Sequence, residues 1–384
     1  MKIIADQNIP YVKECFSSIG DVTLTGGRDV TPELLKDADI LLVRSITKVN
    51  ADLLEGSAVK FVATATIGTE HIDQGYLDEH RIGFASAPGS NANSVAEYIV
   101  AALLTLGKKH KLQLEGKSIG IVGVGNVGSK VEIKCRALGM DVVLNDPPLA
   151  RQTGDNKYRP LEEVYACDFV TLHTPLTGEG PDATYHLADE KFFDSMKQGA
   201  FFLNTSRGKV QDESALKKAM QSGKLGGVVL DVWESEPKVD PWLLQNVDLS
   251  TPHIAGYSFD GKVGGMIMIY EACCEHFGLQ VGHTTADFLP APDVPEIRIE
   301  KRPPASAEEA AIHSIVQQIY VINRDDFNMR EILLQPEDER AAWFDMLRKD
   351  YPRRREFQNT TVILPGIECC EVNKLADLGF KVRL

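Results

Sequence analysis

Gly123-Val124-Gly125-Asn126-Val127-Gly128 stands between the apolar run 119–122 and a stretch of helical periodicity. Glycines at this spacing let a backbone turn tightly after a strand and come close to a pyrophosphate, whose charge is met by N–H groups at the helix start. Asp146 follows at the end of the next predicted strand, near the spacing of about 20 residues that such an acid takes after this turn. A carboxylate there accepts from both ribose hydroxyls and repels a 2′-phosphate, so it favours NAD over NADP. The alternative is a chance glycine turn followed by a helix-capping Asp, and Arg151 is near enough in sequence to keep NADP open.

Three further stretches each lie near the C-terminal end of a predicted strand, where open α/β sheets place ligands. Leu203-Asn204-Thr205-Ser206-Arg207-Gly208 offers an arginine that can fork two N–H bonds onto a carboxylate or polarise a ketone, as lysine does less well. Leu230-Asp231-Val232-Trp233-Glu234-Ser235-Glu236-Pro237 offers carboxylates, and Ser250-Thr251-Pro252-His253-Ile254-Ala255-Gly256 offers a histidine. Singly, these read as a surface ion pair, a solvated acid and a structural histidine. Together they suit a reaction, because a histidine paired with a carboxylate is held in one orientation and its protonated form is stabilised.

The elements that must position these residues alternate in type. Short apolar runs at 2–5, 22–24, 40–43 and 61–64, then at 119–122, 142–145, 169–172, 200–204 and 228–231, are separated by helical patterns. This predicts two doubly wound α/β units built on parallel strands, with a cleft between them. Residues 91–107 carry an amphipathic stripe at Val95, Ile99, Ala102, Leu103 and Leu106, which predicts a bridging helix capped by Asn91 or Ser94 and ended by Gly107. A second helix is expected at 260–277, returning the chain to the first unit. Leu289-Pro290-Ala291-Pro292-Asp293-Val294-Pro295 reads as a linker, and the remainder to residue 384 reads as β-α-α-β-α-β, with a helix at 308–320 and a strand at 361–364.

The chain has 384 residues, 43% hydrophobic and 25% charged, with a formal charge of −14. That excludes disorder, and it argues against nucleic acid or an anionic membrane as the main partner. The run 98–106 is far short of the roughly 20 residues a membrane span needs, and Asp6 interrupts the first apolar run, so a cytoplasmic protein is expected. Seven cysteines, two pairs of them adjacent (Cys273 and Cys274, Cys369 and Cys370), make a poor disulfide framework, and no spacing suggests a metal site. Reduced, packing thiols are expected.

The motifs and their order resemble the D-isomer-specific 2-hydroxyacid dehydrogenases over about residues 1–285. The resemblance implies that Arg207 binds the substrate's carboxylate and carbonyl, that His253 is the acid/base and that Glu236 partners it. It implies cofactor contacts at Gly123, Gly125, Asn126, Val127, Gly128, Asp146, Thr174, Thr205, Ser206, Arg207, Asp231 and Gly256. Residues 5–10, 42–49, 65–73, Gly256-Tyr257-Ser258 and 347–357 are similar to one branch of that family, which acts on a 2-hydroxy acid with a terminal phosphate and has a C-terminal dimerisation domain. From that branch Ser45, Thr66 and Tyr257 carry over as substrate contacts. Arg44 is added as a further donor, and backbone N–H groups near Gly68 are expected to hold the carboxylate.

The expected architecture is therefore α/β. Residues 1–99 with 254–285 form a substrate-binding domain, 100–253 an NAD-binding Rossmann domain, and 286–384 a small α+β domain that makes a homodimer. Basic and acidic side chains balance between residues 337 and 357, so the run Arg353-Arg354-Arg355 reads as a solvated helix face. Two rival functions stay open: a dehydrogenase for 3-phosphoglycerate, glycerate or a hydrophobic 2-hydroxy acid, and a non-catalytic NAD-sensing binding protein.

Overall fold

The structure, a computed structural model, describes residues 1–301, 303–365 and 370–384, without the side chains of residues 305 and 370–372. The chain forms two compact units, Met1–Asn91 with Ser258–Ala291 and Ala92–Tyr257 with Pro292–Leu384.

In the first unit β1 (Lys2–Asp6), β2 (Asp21–Thr25), β3 (Ile40–Val43), β4 (Phe61–Thr64) and β5 (Gly83–Ala85) form a parallel sheet in the order β2-β1-β3-β4-β5. β3 and β4 are buried at every residue, as parallel strands covered on both faces must be, and this is why they are continuous apolar runs in sequence. The helix Phe259–Phe277 packs on one face through Met266, Tyr270 and Cys273, while Leu35, Leu54 and Leu77 cover the other. Parallel strands end on one edge of a sheet. Val43 pairs with Thr64, so the loop carrying Arg44 and Ser45 and the loop carrying Thr66 and Gly68 leave from adjacent strand ends.

In the second unit β6 (Ser118–Val122), β7 (Asp141–Asn145), β8 (Phe169–Leu172), β9 (Ala200–Asn204), β10 (Leu225–Leu230) and β11 (Leu249–Ser250) form a parallel sheet ordered β11-β10-β9-β8-β6-β7. β6 lies between β7 and β8, so the strand order reverses beside it, and ligands of open α/β sheets bind at such a point. Gly123, Asp146, His173, Thr205, Asp231 and Thr251 each begin the loop that leaves one of these strands at its carboxyl end. The sheet thus gathers the sequence motifs on one edge.

The helix expected at 91–107 spans Ala92–His110 and runs through Gly107, and residues 94–107 are all buried. A stripe is therefore the wrong description. Tyr98, Val100, Ala101 and Leu104 are as buried as the stripe itself, so this is a core helix covered all round. The chain turns after it at Lys111, whose φ is 55°.

The C-terminal part carries a third parallel sheet, β12 (Glu296–Arg298), β13 (Thr361–Ile363) and β14 (Lys381–Arg383), ordered β12-β13-β14. Between β12 and β13 stand Glu308–Ile319, Ile322–Arg330 and Arg340–Lys349, one helix more than the sequence pattern indicates. Cys370–Asp377 leads into β14.

Arg353-Arg354-Arg355 departs from expectation. The segment is not helical, and Arg354 and Arg355 are buried. The Arg354 guanidinium lies 4.2 Å from the Tyr320 ring centroid and donates to the carbonyls of Ala255 at 2.8 Å and Ser94 at 3.3 Å. Nearby, Glu97 accepts from the Phe357 N–H at 2.9 Å, and Lys134 donates to the Leu378 carbonyl at 2.5 Å. Charge balance along a sequence does not report pairing in space. A guanidinium is weakly hydrated and stacks on aromatic faces, so it tolerates burial where its donors find carbonyls.

Candidate active site

The glycine turn is built as its sequence requires. Gly123 has φ +86°, and a Cβ there would lie 2.8 Å from the His173 carbonyl. A Cβ on Gly128 would lie 2.0 Å from the Gly123 carbonyl oxygen, so these two glycines are demanded by packing. Gly125 differs: a Cβ there would meet nothing within 4 Å. It fronts the space in which a pyrophosphate would approach the backbone, ahead of the helix Asn126–Ala137.

Asp146 accepts from the N–H of Val124 at 2.8 Å through one oxygen and from that of Leu149 at 3.0 Å through the other. It is both a helix cap and a tether of the glycine turn, and a carboxylate retains lone pairs for ribose hydroxyls. Arg151 is paired with Asp182, so its charge is already answered and the case for a 2′-phosphate weakens. The Thr174 hydroxyl is buried and has no hydrogen-bond partner among the described residues. An open glycine after β6, a ribose-type acid after β7 and an orphaned hydroxyl after β8 fit NAD.

Below this surface His173 contacts the hydroxyls of Thr171 at 3.0 Å and Thr205 at 3.3 Å. Burial pushes its ring down from 6.5 to about 3. Above pH 6.5 this neutral ring carries no protonation penalty. As pH falls below 6.5 the unfolded chain takes up a proton that the folded chain refuses until about pH 3, so stability is lost over that window. His173→Asn should therefore show a flatter dependence of Tm on pH between 6.5 and 5 than the unaltered protein. Parallel curves in thermal scans would contradict it.

The candidate catalytic groups sit after β9, β10 and β11. Asp231, buried at the end of β10, accepts from the Thr251 hydroxyl at 2.6 Å and from the N–H groups of Ile254 at 2.7 Å and Ala255 at 3.0 Å. Its own carbonyl accepts from the His253 N–H at 2.7 Å. Burial pushes the Asp231 carboxyl up, although the His253 charge and these bonds pull the other way. The effect is to fix the histidine loop, including His253 at φ 58°. A non-glycine residue in that region costs about 1–3 kcal/mol and persists only where its surroundings over-determine it.

His253 Nδ1 lies 2.6 Å from Glu236 Oε1, and the Trp233 N–H donates to Glu236 Oε2 at 3.2 Å. Burial alone would raise the Glu236 carboxyl, but the His253 hydrogen bond and charge, the Trp233 N–H and the Arg348 charge outweigh it and hold the group below its ordinary value. Glu236 is therefore an anion at neutral pH. Trp233 is pinned in turn by its indole N–H, which donates to the Thr251 carbonyl at 3.0 Å. On the next loop Asn204 accepts from Ser206 N and Oγ at 2.9 and 2.8 Å and donates to the Arg207 carbonyl at 3.1 Å. A Cβ on Gly208 would lie 1.9 Å from the Trp233 carbonyl oxygen, so the arginine loop presses directly on the carboxylate loop. Gly256 lies in the turn that follows.

The structure thus brings Arg207, Glu236 and His253 onto neighbouring loops of one sheet edge. Tyr257 follows, and its hydroxyl accepts from Arg348 Nη2 at 3.2 Å. Arg348 has no motif to mark it: it lies far off in sequence, in the helix Arg340–Lys349 of a segment, 337–357, that has no net charge. Nor does any motif show that the Asp231 carboxylate is committed to backbone N–H groups rather than exposed. In the first unit the Thr66 hydroxyl donates to the Gly68 carbonyl at 3.0 Å and meets Thr64 Oγ1 at 2.7 Å, and Thr64 meets His71 Nε2 at 3.1 Å. Arg44 is half-buried and Ser45 exposed.

Among the described residues no cluster of three or more His, Cys, Asp or Glu could hold a metal ion, and no helix is long and apolar enough to cross a membrane. Cys15, Cys135, Cys167, Cys273 and Cys274 are buried free thiols, and burial pushes Cys15, Cys135 and Cys273 up to about 12. Cys369 and the side chain of Cys370 lie outside the described residues.

A doubly wound sheet with this glycine turn, its ribose-type acid and an Arg, Glu and His on adjoining loops defines an NAD-dependent 2-hydroxyacid dehydrogenase. Residues 98–255 match the family "D-isomer specific 2-hydroxyacid dehydrogenase, NAD binding domain", and 288–379 match "Domain of unknown function (DUF3410)". The proteins named erythronate-4-phosphate dehydrogenase from Salinibacter ruber and Marinobacter nauticus are 44% and 42% identical to this chain, covering 100% of it and 99% and 100% of their own lengths. The chain belongs to the erythronate-4-phosphate dehydrogenases, within the D-isomer specific 2-hydroxyacid dehydrogenase family. Among solved structures, D-lactate dehydrogenase from Aquifex aeolicus, complexed with NAD and lactic acid, aligns with a TM-score of 0.58 at 26% identity, over 74% of this chain and 100% of that one. The NAD+-bound 3-phosphoglycerate dehydrogenase of Entamoeba histolytica, 24% identical, shares the fold with a TM-score of 0.61 over 73% of this chain and 97% of that one.

Proposed function

We propose that the protein oxidises 4-phospho-D-erythronate to 2-oxo-3-hydroxy-4-phosphobutanoate with NAD, a step of pyridoxal 5′-phosphate synthesis. The observation that carries this reading is the 2.6 Å contact between His253 Nδ1 and the Glu236 carboxylate. An ionised carboxylate can only accept, so Nδ1 bears the hydrogen and Nε2 bears the lone pair. His253 Nε2 is then the acceptor for the C2 hydroxyl proton, and Glu236 stabilises the imidazolium that results. Arg207 forks its donors onto the substrate carboxylate and the C2 oxygen, favouring the developing ketone. NAD, when bound along the glycine turn with its ribose at Asp146 and its neighbours at Thr174 and residues 205–207, supplies the acceptor for the hydride leaving C2.

Ser45, Thr66, Tyr257 and Arg44 bind the remaining substrate oxygens, and backbone N–H groups near Gly68 assist with the carboxylate. Residues 1–99 with 254–285 serve substrate binding, 100–253 NAD binding and 286–384 homodimer formation in a cytoplasmic enzyme. Full-length relatives of one name support this choice over other members of the family. The test is NADH formation with 4-phospho-D-erythronate, 3-phosphoglycerate and D-lactate in parallel. The first should lead in kcat/KM by about 10²-fold or more, the discrimination a site gains from buried groups that need a partner. A lead for 3-phosphoglycerate would contradict the substrate, and no NADH from any of them would favour a binding protein.

A further inference from the structure

Arg348 lies in the last turn of the helix Arg340–Lys349, in the C-terminal part of the second unit. Its Nη2 donates to the Tyr257 hydroxyl at 3.2 Å, and its guanidinium carbon is 5.9 Å from the ring centroids of both Tyr257 and Phe344. Its Nε is buried and without a hydrogen-bond partner among the described residues. Tyr351 packs edge-on against the Tyr257 ring with centroids 5.9 Å apart, and is itself fixed by donating to Asp325 at 2.8 Å. Tyr257 is therefore held by two side chains from the C-terminal segment. A guanidinium so engaged is not a solvated surface charge.

We propose that Arg348 is a positioning residue for substrate recognition, setting the Tyr257 hydroxyl to meet an anionic oxygen of the substrate as a hydrogen-bond donor. The inference rests on the reading of Tyr257 as a substrate contact. Its chemistry runs in one direction. A guanidinium has donors only, so the Tyr257 oxygen accepts from Nη2 and the phenolic hydrogen is directed to a different acceptor. A donor is what a carboxylate or a phosphate monoester requires. The adjacent cation also polarises the phenol and strengthens its O–H as a donor. By this route the segment after residue 292 takes part in selecting the substrate.

The test is a double-mutant cycle on the full-length protein, measuring kcat, KM for 4-phospho-D-erythronate and KM for NAD. Tyr257→Phe and Arg348→Met should each raise the substrate KM by about 10-fold, as loss of a hydrogen bond to a charged group does, with kcat and the NAD KM moved much less. The double variant should be no worse than Tyr257→Phe alone, and Arg348→Lys, which can still donate to the hydroxyl, should recover part of the loss. Multiplying effects, or a substrate KM that Tyr257→Phe raises and Arg348→Met leaves alone, would overturn the inference. Should Arg348→Met fail to fold, the cycle is run with Arg348→Lys, whose smaller rise must vanish in the Tyr257→Phe background. A KM unmoved by Tyr257→Phe removes Tyr257 from the substrate site and this inference with it, while the proposed function stands. Absence of turnover by the unaltered protein removes both.

Discussion

His253→Asn should lower kcat for NADH formation by about 10²- to 10⁴-fold, the contribution of a positioned general base. Asparagine is the informative replacement because it tolerates the left-handed backbone that His253 adopts at φ 58°. The loop also keeps its ties, since the N–H groups of residues 253–255 still donate to Asp231. What disappears is the Nε2 lone pair and the cation that Glu236 stabilises. NAD binding and Tm should stay close to those of the unaltered protein, so the loss would be chemical rather than structural. Turnover near the original rate would remove His253 from the reaction.

Arg207→Lys should cost about 10²- to 10³-fold in kcat/KM although the charge is conserved, comparable to removing a preorganised donor from an oxyanion site. Lysine presents a point charge on a flexible stem, whereas arginine presents a rigid fork that grips a carboxylate and the C2 oxygen together. The surrounding loop is built to fix that fork. Asn204 holds the Arg207 carbonyl, and Arg207 Nη1 donates to the Ser206 carbonyl at 2.9 Å. Part of the loss should appear in kcat, because the interaction strengthens as the ketone forms. An unchanged kcat/KM would show that a simple positive charge suffices there.

Both results depend on residues legible in the sequence alone. Strands such as β3, β4 and β8 announce themselves because both of their faces are buried, leaving uninterrupted apolar runs. Their motifs are legible for a related reason: parallel strands all end on one edge, so a residue just past each run is placed at the site. β5 and β11 do not stand out as runs, being three and two residues long. The helix Ala92–His110 is legible, but its pattern indicates a one-sided helix, because periodicity on one face cannot report a partner covering the other.

Long-range polar pairing left still less trace. Arg354 under Tyr320, Arg348 on Tyr257 and Asp231 on the histidine loop are contacts between segments separated along the chain. Nothing in a charge count distinguishes them from solvated side chains. Glu236, by contrast, is legible through the order of motifs, and in the structure its oxygens are held by Trp233 N and His253 Nδ1.

The central claim is that hydride leaves C2 of a phosphorylated 2-hydroxy acid as His253 takes its hydroxyl proton. It is tested most directly by turning over 4-phospho-D-erythronate deuterated at C2 with NAD, quenching in methanol and analysing both products by mass spectrometry. One deuterium in the reduced nicotinamide for each 2-oxo-3-hydroxy-4-phosphobutanoate formed is the expected result. Reduced cofactor without deuterium, or no 2-oxo acid, would contradict it.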